Sequence, residues 1–360
     1  MRLVAESGLW STGEVPEPAP LTAVLEVAGA VLSWTVDDGS GSAHIAFTAA
    51  ERADWLWRLA GENGHDAIVT ALTARAPEGE LEVPGVTLDT AALNRLRHLA
   101  IGHWLRRWWP ASRRDGIADL DAALLDAELA LLTAGAQEYF TDDTLDSDIS
   151  GLLRPHADLL AGLSRLGDPR IAELARACTA LAEDTGVPPP DRPPVVARRD
   201  DYALAAGSDG QGGPATAIAA GTGSVRWAAV PPGIFDSAED TVDWHIDAVG
   251  AEVIARVHAD LSGGASPAGV GVRLASGAIG GAGVLDETGR ATVALFEAHE
   301  PVTETIAWNH DWRDTDVMIG VPVRESREHR ERAREFARSR LRTPGADAFL
   351  AEVLAAESDY

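Results

Sequence analysis

The sequence predicts a multidomain α+β chain, on three observations. Residues 89–185 carry apolar side chains at three-to-four-residue steps, the period of amphipathic helices. GVPPPDRPPVV then places five prolines in eleven residues, which reads as a semi-rigid linker. Beyond it, short β-branched runs recur between turn residues, the pattern of an antiparallel β-sandwich. The expected order is a small α+β region (1–88), a helical bundle (89–185), the Pro-rich linker (186–200), the sandwich (201–325) and a helical tail (326–360).

Each element has a local reason. VLEVAGAVLSWTV and SAHIAF alternate or are β-branched, and DDGSGS between them is a turn signal, so 1–47 is expected to form short strands. Thr48-Ala-Ala-Glu51 has capping-box spacing. The helix it starts is expected to end at Gly61, with a second over about 65–75 and a hairpin in ELEVPGVTL. Leu93, Leu96, Ala100, Trp104 and Trp108 make one helical stripe, stopped by Pro110. Leu120, Leu124, Ala127 and Leu131 make a second, Leu152, Leu159, Leu163 and Leu166 a third, and Ile171, Leu174, Cys178 and Leu181 a fourth. Short loops between them favour an antiparallel bundle.

After the linker and a Gly-rich stretch, seven segments read as strands: GSVRWAAV, TVDWHIDAV, AEVIARVHA, GVGVRLASGAI, GVLDETGRATVALF, ETIAWNH and DVMIGVPV. Two helices, about 326–341 and 346–356, close the chain on either side of Thr343-Pro344-Gly345.

Composition excludes several chemistries. The 360 residues hold 56 Asp and Glu against 30 basic residues, a formal net charge of −26, and every one of the 30 is arginine. Without lysine there is no P-loop, no protein-kinase strand lysine and no Schiff base for pyridoxal phosphate. One cysteine, Cys178, excludes internal disulfides and Cys-rich zinc sites. The negative charge disfavours nucleic acid and anionic membrane surfaces as partners. With no long apolar run at the start or elsewhere, the expectation is a cytoplasmic protein.

The densest polar cluster runs from Trp308 to Asp316. Trp308, Asn309, His310, Asp311, Trp312 and Arg313 are candidate binding residues, with the tryptophan faces and Arg313 suited to a polar or carbohydrate ligand. His310, Asp314 and Asp316, with His245 from another strand, are a candidate divalent-metal set, the centre of a hydrolase or sensor. The plainer alternative makes the Asp and Asn turn formers and pairs Arg313 with a neighbouring carboxylate. Asp146-x-Asp148-x-Ser150-Gly151 opens like a calcium loop, but Ala157 stands where the bidentate glutamate belongs, favouring an inter-helix loop. Arginines and tryptophans interleave over 95–114, and the acidic helix that follows is their expected partner. Gly207–Gly213 and Gly221-Thr-Gly223 lack the strand, helix and lysine of a phosphate loop. The Arg/Glu-rich 324–342 makes Arg327, Arg330, Arg334 and Arg338 candidate contacts for an acidic partner, or a helix docked on the chain itself.

Leu105-Arg-Arg-Trp-Trp-Pro-Ala-Ser-Arg-Arg-Asp-Gly-Ile-Ala-Asp-Leu-Asp121, running on into AALLDAELALL, resembles accessory proteins of signalling and defence (conflict) gene neighbourhoods in high-G+C bacteria. The resemblance spans 89–183, includes no catalytic motif and implies an adaptor or sensor. Gly283–Leu295 is similar to a hairpin of transthyretin-like and Ig-like sandwiches, with Asp286 and Gly289 at the bend. The expected function is therefore a non-enzymatic adaptor making protein–protein contacts and needing no cofactor. The two alternatives are the metal-dependent hydrolase or sensor and ligand binding at the sandwich end.

Overall fold

The computed structural model describes residues 1–74, 76–137, 145–163, 165, 167–186, 217–250 and 252–358. The prolines of the expected linker and the Gly-rich 207–213 lie outside these residues. Helices are combined with antiparallel sheets. Among the described residues, no helix is long and apolar enough to cross a membrane.

Strands β1 (Arg2–Glu6) and β2 (Leu9–Thr12) form a tight hairpin, as do β3 (Thr22–Val27) and β4 (Ala30–Thr35), and β5 (His44–Phe47) joins β4 to β2. In α1 (Trp57–Thr73), Gly61 takes φ +71° and interrupts the helical path. Gly61 thus separates two helical stretches, as the sequence predicts, within one continuous element. β6 (Glu80–Glu82) pairs with β1 instead of folding back within ELEVPGVTL. Pro84 has no N–H for a ladder, and Gly85 turns the chain at φ +76°.

The helical period holds in α2 (Thr90–Trp108), α3 (Ala122–Ala136), α4 (Leu145–Leu153), α5 (Ala157–Leu163) and α6 (Pro169–Asp184). Asp121 caps α3 and Asp168 caps α6 by accepting first-turn N–H groups. Asp148, Ser150 and Gly151 lie within α4, so the expected inter-helix loop is helical there.

The second half supplies β7 (Ala217–Gly223), β8 (Val242–Val249), β9 (Glu252–Ala259), β10 (Gly271–Ser276), β11 (Ile279–Val284), β12 (Arg290–Ala294), β13 (Phe296–Glu297) and β14 (Glu300–Pro301). Then come α7 (Glu304–Asn309), β15 (Asp316–Ile319), α8 (Arg327–Arg342) and α9 (Leu350–Ser358). Three expectations are corrected here. GSVRWAAV is not a strand: the ladder with β8 ends at Gly223, and the Glu325 carboxylate takes the N–H groups of Trp227 and Ala228 at 3.1 and 2.7 Å. ETIAWNH is helical, because Thr303 stays extended and its Oγ1 accepts the Ile306 N–H. The Asp286–Gly289 turn forms, with Asp286 Oδ1 accepting from Thr288 and Arg290, but it joins no hairpin. β11 pairs with β10 and β13, whereas β12 pairs with β9, so the turn carries the chain between sheets.

The chain divides into two compact units: Met1–Trp108 with Leu120–Val196 and Glu328–Tyr360, and Trp109–Asp119 with Ala197–Arg327. This division differs from the boundaries read in the sequence. The N-terminal strands, the bundle and most of the tail share one unit, while residues 109–119 belong to the other.

In the first unit the six-stranded sheet runs β3-β4-β5-β2-β1-β6, with α2 packed on β3 and β4. The helix α3 is buried on most of its faces and contacts α2, α4, α6 and α9. Gly102 on α2 permits this packing, since a Cβ there would come within 2.7 Å of Phe349 Cζ. The charges are largely resolved inside the unit. Arg106 meets the buried Asp126 at 2.8 Å, and Arg332 pairs with Asp37 and Glu17 at 2.8 and 2.9 Å.

Glu128 on α3 caps α9, accepting the Leu350 N–H at 2.6 Å. Burial, with the nearby Glu352 adding to it, pushes the Glu128 carboxyl up to about 7. The unfolded chain, with an ordinary carboxyl, therefore ionises first. This site's contribution to stability is complete at acidic pH and is lost as pH rises toward and through about 7. Stability of this unit should fall by at most about 1.4 kcal/mol per pH unit on that limb. Denaturant titrations across the range should show the slope in the natural protein and its absence in Glu128→Gln. An equal slope in both would contradict the assignment.

In the second unit the sheets run β14-β13-β11-β10-β15 and β12-β9-β8-β7. Both supply one apolar core, with Val242, Trp244, Ile246, Val253, Ala255 and Val257 from one and Val272, Leu274, Ile279, Val317 and Ile319 from the other.

Candidate functional site

The Trp308–Asp316 cluster forms a short helix, a 3-10 turn and the start of a strand in the second unit. Two side chains anchor it. Trp312 is 8% exposed and its indole N–H donates to the Ala307 carbonyl at 2.9 Å, pinning the turn under α7. The His310 ring packs edge-on to Trp312 at 4.6 Å, and its Nε2 lies 2.9 Å from Ser276 Oγ. Ser276 Oγ lies 3.0 Å from Thr315 Oγ1, which lies 2.7 Å from the Trp312 carbonyl.

The Trp312 carbonyl also accepts the Thr315 N–H at 3.3 Å, so the Ser276 and Thr315 hydroxyls can donate in either direction along this chain, and His310 Nε2 can donate to Ser276 or accept from it. Ser276 is 1% exposed, so its hydroxyl serves to hold the imidazole and is closed to a substrate.

The surface over these anchors is a shallow groove of about 310 Å³ lined by Thr305, Ile306, Asn309 and His310. Trp308 stands on the same helix, 50% exposed, with its indole N–H toward Glu304 at 3.3 Å. Ile306 is 37% exposed. Asn309 Nδ2 donates to the Thr305 carbonyl at 2.8 Å, which leaves Asn309 Oδ1 as an acceptor.

The candidate residues are thus only partly gathered. Asn309 and His310 line the groove, whereas Trp308 is exposed on the same helix outside its lining. Trp312 is a core residue beneath it and offers no ring face to a ligand. Asp311 caps the 3-10 turn through the Arg313 N–H at 3.1 Å and lies 3.4 Å from the exposed Arg313 guanidinium. That is the turn-former alternative.

The metal set is not gathered. His245 faces outward on β8, opposite Arg256 of β9. Asp316 is bound to Arg226 at 3.0 Å, and His310 Nε2 is spent on Ser276. Among the described residues, no group of three or more His, Cys, Asp or Glu side chains is placed to hold a metal ion.

The arginine candidates separate in the same way. Arg330 and Arg334 are 6% and 1% exposed, and Arg334 is bound to Glu331 at 2.5 Å, so both are internal to the chain. Arg338 pairs with Glu331 and Glu335 at 3.4 and 3.5 Å. Arg327 remains exposed, 3.7 Å from Glu239. The partner contacts expected at Arg330 and Arg334 are corrected: α8 docks on its own chain. Cys178 is a buried core thiol donating toward the Ala127 carbonyl, and burial pushes it up to about 11.

Ser276 and Thr315 escaped the sequence reading. Ser276 does carry a signal: it follows Val272 and Leu274 at the inward positions of β10, where alternation calls for a third apolar residue.

The β13–β14 turn, just before α7, is strained. Ala298 and His299 sit at φ +48° and +76°, the left-handed region that a two-residue hairpin of this type reserves for Asn-Gly. Ala298→Asn with His299→Gly should raise stability by about 1 kcal/mol or more, measured by thermal denaturation. A loss of stability would contradict the turn geometry.

Comparison with protein-family models, curated proteins and solved structures finds no match.

Proposed function

We propose that this chain is a non-enzymatic adaptor whose second unit, read as an antiparallel β-sandwich, engages a protein partner through the α7 surface. The carrying observation is Trp308, a large aromatic side chain half exposed on a helix whose mounting is locked by Trp312, His310 and Ser276. Exposed tryptophan on a rigid support matches the character of binding hot spots, where a large ring is buried at little entropic cost. Ile306, also exposed on α7, adds apolar surface, and Asn309 Oδ1 adds an acceptor. The buried Ser276 and the scattered metal candidates favour binding over hydrolysis. The resemblance of 89–183 to accessory proteins of signalling and defence systems gives the adaptor a bacterial, cytoplasmic setting.

Affinity capture from the natural host, with Trp308→Ala beside the unaltered protein, tests this. Because the ring is half exposed, the substitution should cost only about 1 kcal/mol of stability. A protein retained by the natural chain should be lost on Trp308→Ala and kept on His245→Ala. Identical retention by all three proteins would overturn the reading.

A further inference from the structure

The two sheets of the second unit differ on the faces they turn away from the shared core. On β8, β9 and β12 the outward positions hold Asp243, His245, Arg256 and Arg290, a charged face on which Arg256 meets Asp247 at 3.4 Å. Such a face is at home in water.

The five-stranded sheet is the opposite. Val272, Leu274, Val317 and Ile319 point into the core, so the alternate positions form its outer face. Across that face Arg273 stands between Ala282 and Met318. Val284 lies in the next row to one side, and Gly280 with Phe296 in the next row to the other. Val284 is 63% exposed and Phe296 43%. Asp316, the carboxylate of these rows, is held by Arg226 at 3.0 Å. Arg273 is exposed and meets no carboxylate among the described residues.

An apolar sheet face around a free cation constrains what can cover it. Removing water from Arg273 leaves an uncompensated charge unless the covering surface brings an anion. A second copy of this chain, laid on the face about a two-fold axis, would bring two Arg273 guanidinia into one interface and add its own charge of −26. We propose that the outer face of the five-stranded sheet docks an apolar surface of a partner protein that carries an aspartate or glutamate opposite Arg273. The site uses no residue of α7 and does not depend on the role of Trp308.

Immobilised amphipathic peptides, probed with the intact protein, test this. Each carries a leucine stripe with Glu, Gln or Lys at its centre and is otherwise neutral. The chain's net charge alone favours the Lys peptides, whereas the face favours Glu. Glu peptides should be retained on the order of tenfold better than Lys peptides, the advantage shrinking in about 0.5 M salt. Arg273→Glu should reverse the order, and Val284→Asp should abolish retention of all three. Both positions are exposed, so the far-ultraviolet circular dichroism should stay unchanged. Arg290→Glu, on the charged face, and Trp308→Ala should bind as the natural protein does. Lys or Gln peptides retained as well as Glu peptides, or retention indifferent to Val284→Asp, would overturn the proposal. So would a dimer in analytical ultracentrifugation that Val284→Asp dissolves, which would make the occupant a second copy. Loss of crosslinking at Trp308 with these peptide results intact would overturn the α7 reading alone.

Discussion

Replacing Arg340 with methionine is expected to lower the stability of the first unit by about 3–5 kcal/mol. Arg340 holds the wholly buried Glu352 in a two-point ion pair at 2.5 and 2.7 Å. The same carboxylate accepts the Phe349 N–H at 2.9 Å, and Phe349 itself is fully buried against His98. Removing the guanidinium leaves a buried carboxylate whose remaining partner is that amide. An uncompensated buried charge is among the few lesions of this size. Removing both partners together, as Arg340→Met with Glu352→Leu, should recover much of the loss, since a buried ion pair adds little over packed apolar groups. Denaturant unfolding measures the loss, and hydrogen exchange over 350–358 should show α9 loosening first. An Arg340→Met protein with unchanged stability would show that the Arg340–Glu352 pair does not hold α9.

Asp236→Ala is expected to destabilise the second unit by about 3 kcal/mol or more. The carboxylate is 3% exposed and serves three backbone donors: Arg113 N at 2.8 Å, Arg114 N at 3.4 Å and Ala238 N at 2.9 Å. It thereby ties residues 109–119 to the β7–β8 connection, helped by Ser237 N to the Ala111 carbonyl at 3.1 Å. Arg114 adds donation to the Asp240 carbonyl at 2.7 Å. Alanine orphans all three donors, whereas Asp236→Asn keeps one carbonyl oxygen and should cost about 1 kcal/mol. Faster exchange of the Arg113 and Arg114 amides in both variants, in that order of severity, is the expected signature. Unchanged exchange in Asp236→Ala would remove the carboxylate from this role.

These two sites also show where sequence reading stops. The period of Leu93, Leu96, Ala100, Trp104 and Trp108 reports α2 directly, because one buried face is a local property of a helix. The strands TVDWHIDAV and AEVIARVHA were legible for the same reason, their alternation recording one face against the core. Asp236 bonding to Arg113 joins residues 123 apart in sequence, and Arg340 with Glu352 depends on how α8 and α9 turn back. Neither leaves a periodic trace. ETIAWNH misleads because its β-branched and aromatic residues suit a strand, while the decisive Thr303 cap lies just outside the run. At the candidate site the exposed cluster was legible from composition, and its orientation was not. The two tryptophans look equivalent in Trp308-Asn-His-Asp-Trp312, yet the backbone buries one as the support of the other. The arginines of α8 were legible as a docking helix, and the identity of the surface they dock on was not.

The central claim is that Trp308 is a point of contact with another protein. The most direct measurement places a photo-crosslinking amino acid at position 308 of the full chain in the natural host, with the same substitution at His245 for comparison. A discrete crosslinked species is expected from position 308 and absent from position 245. No crosslink at 308, or the same species from both positions, would contradict it.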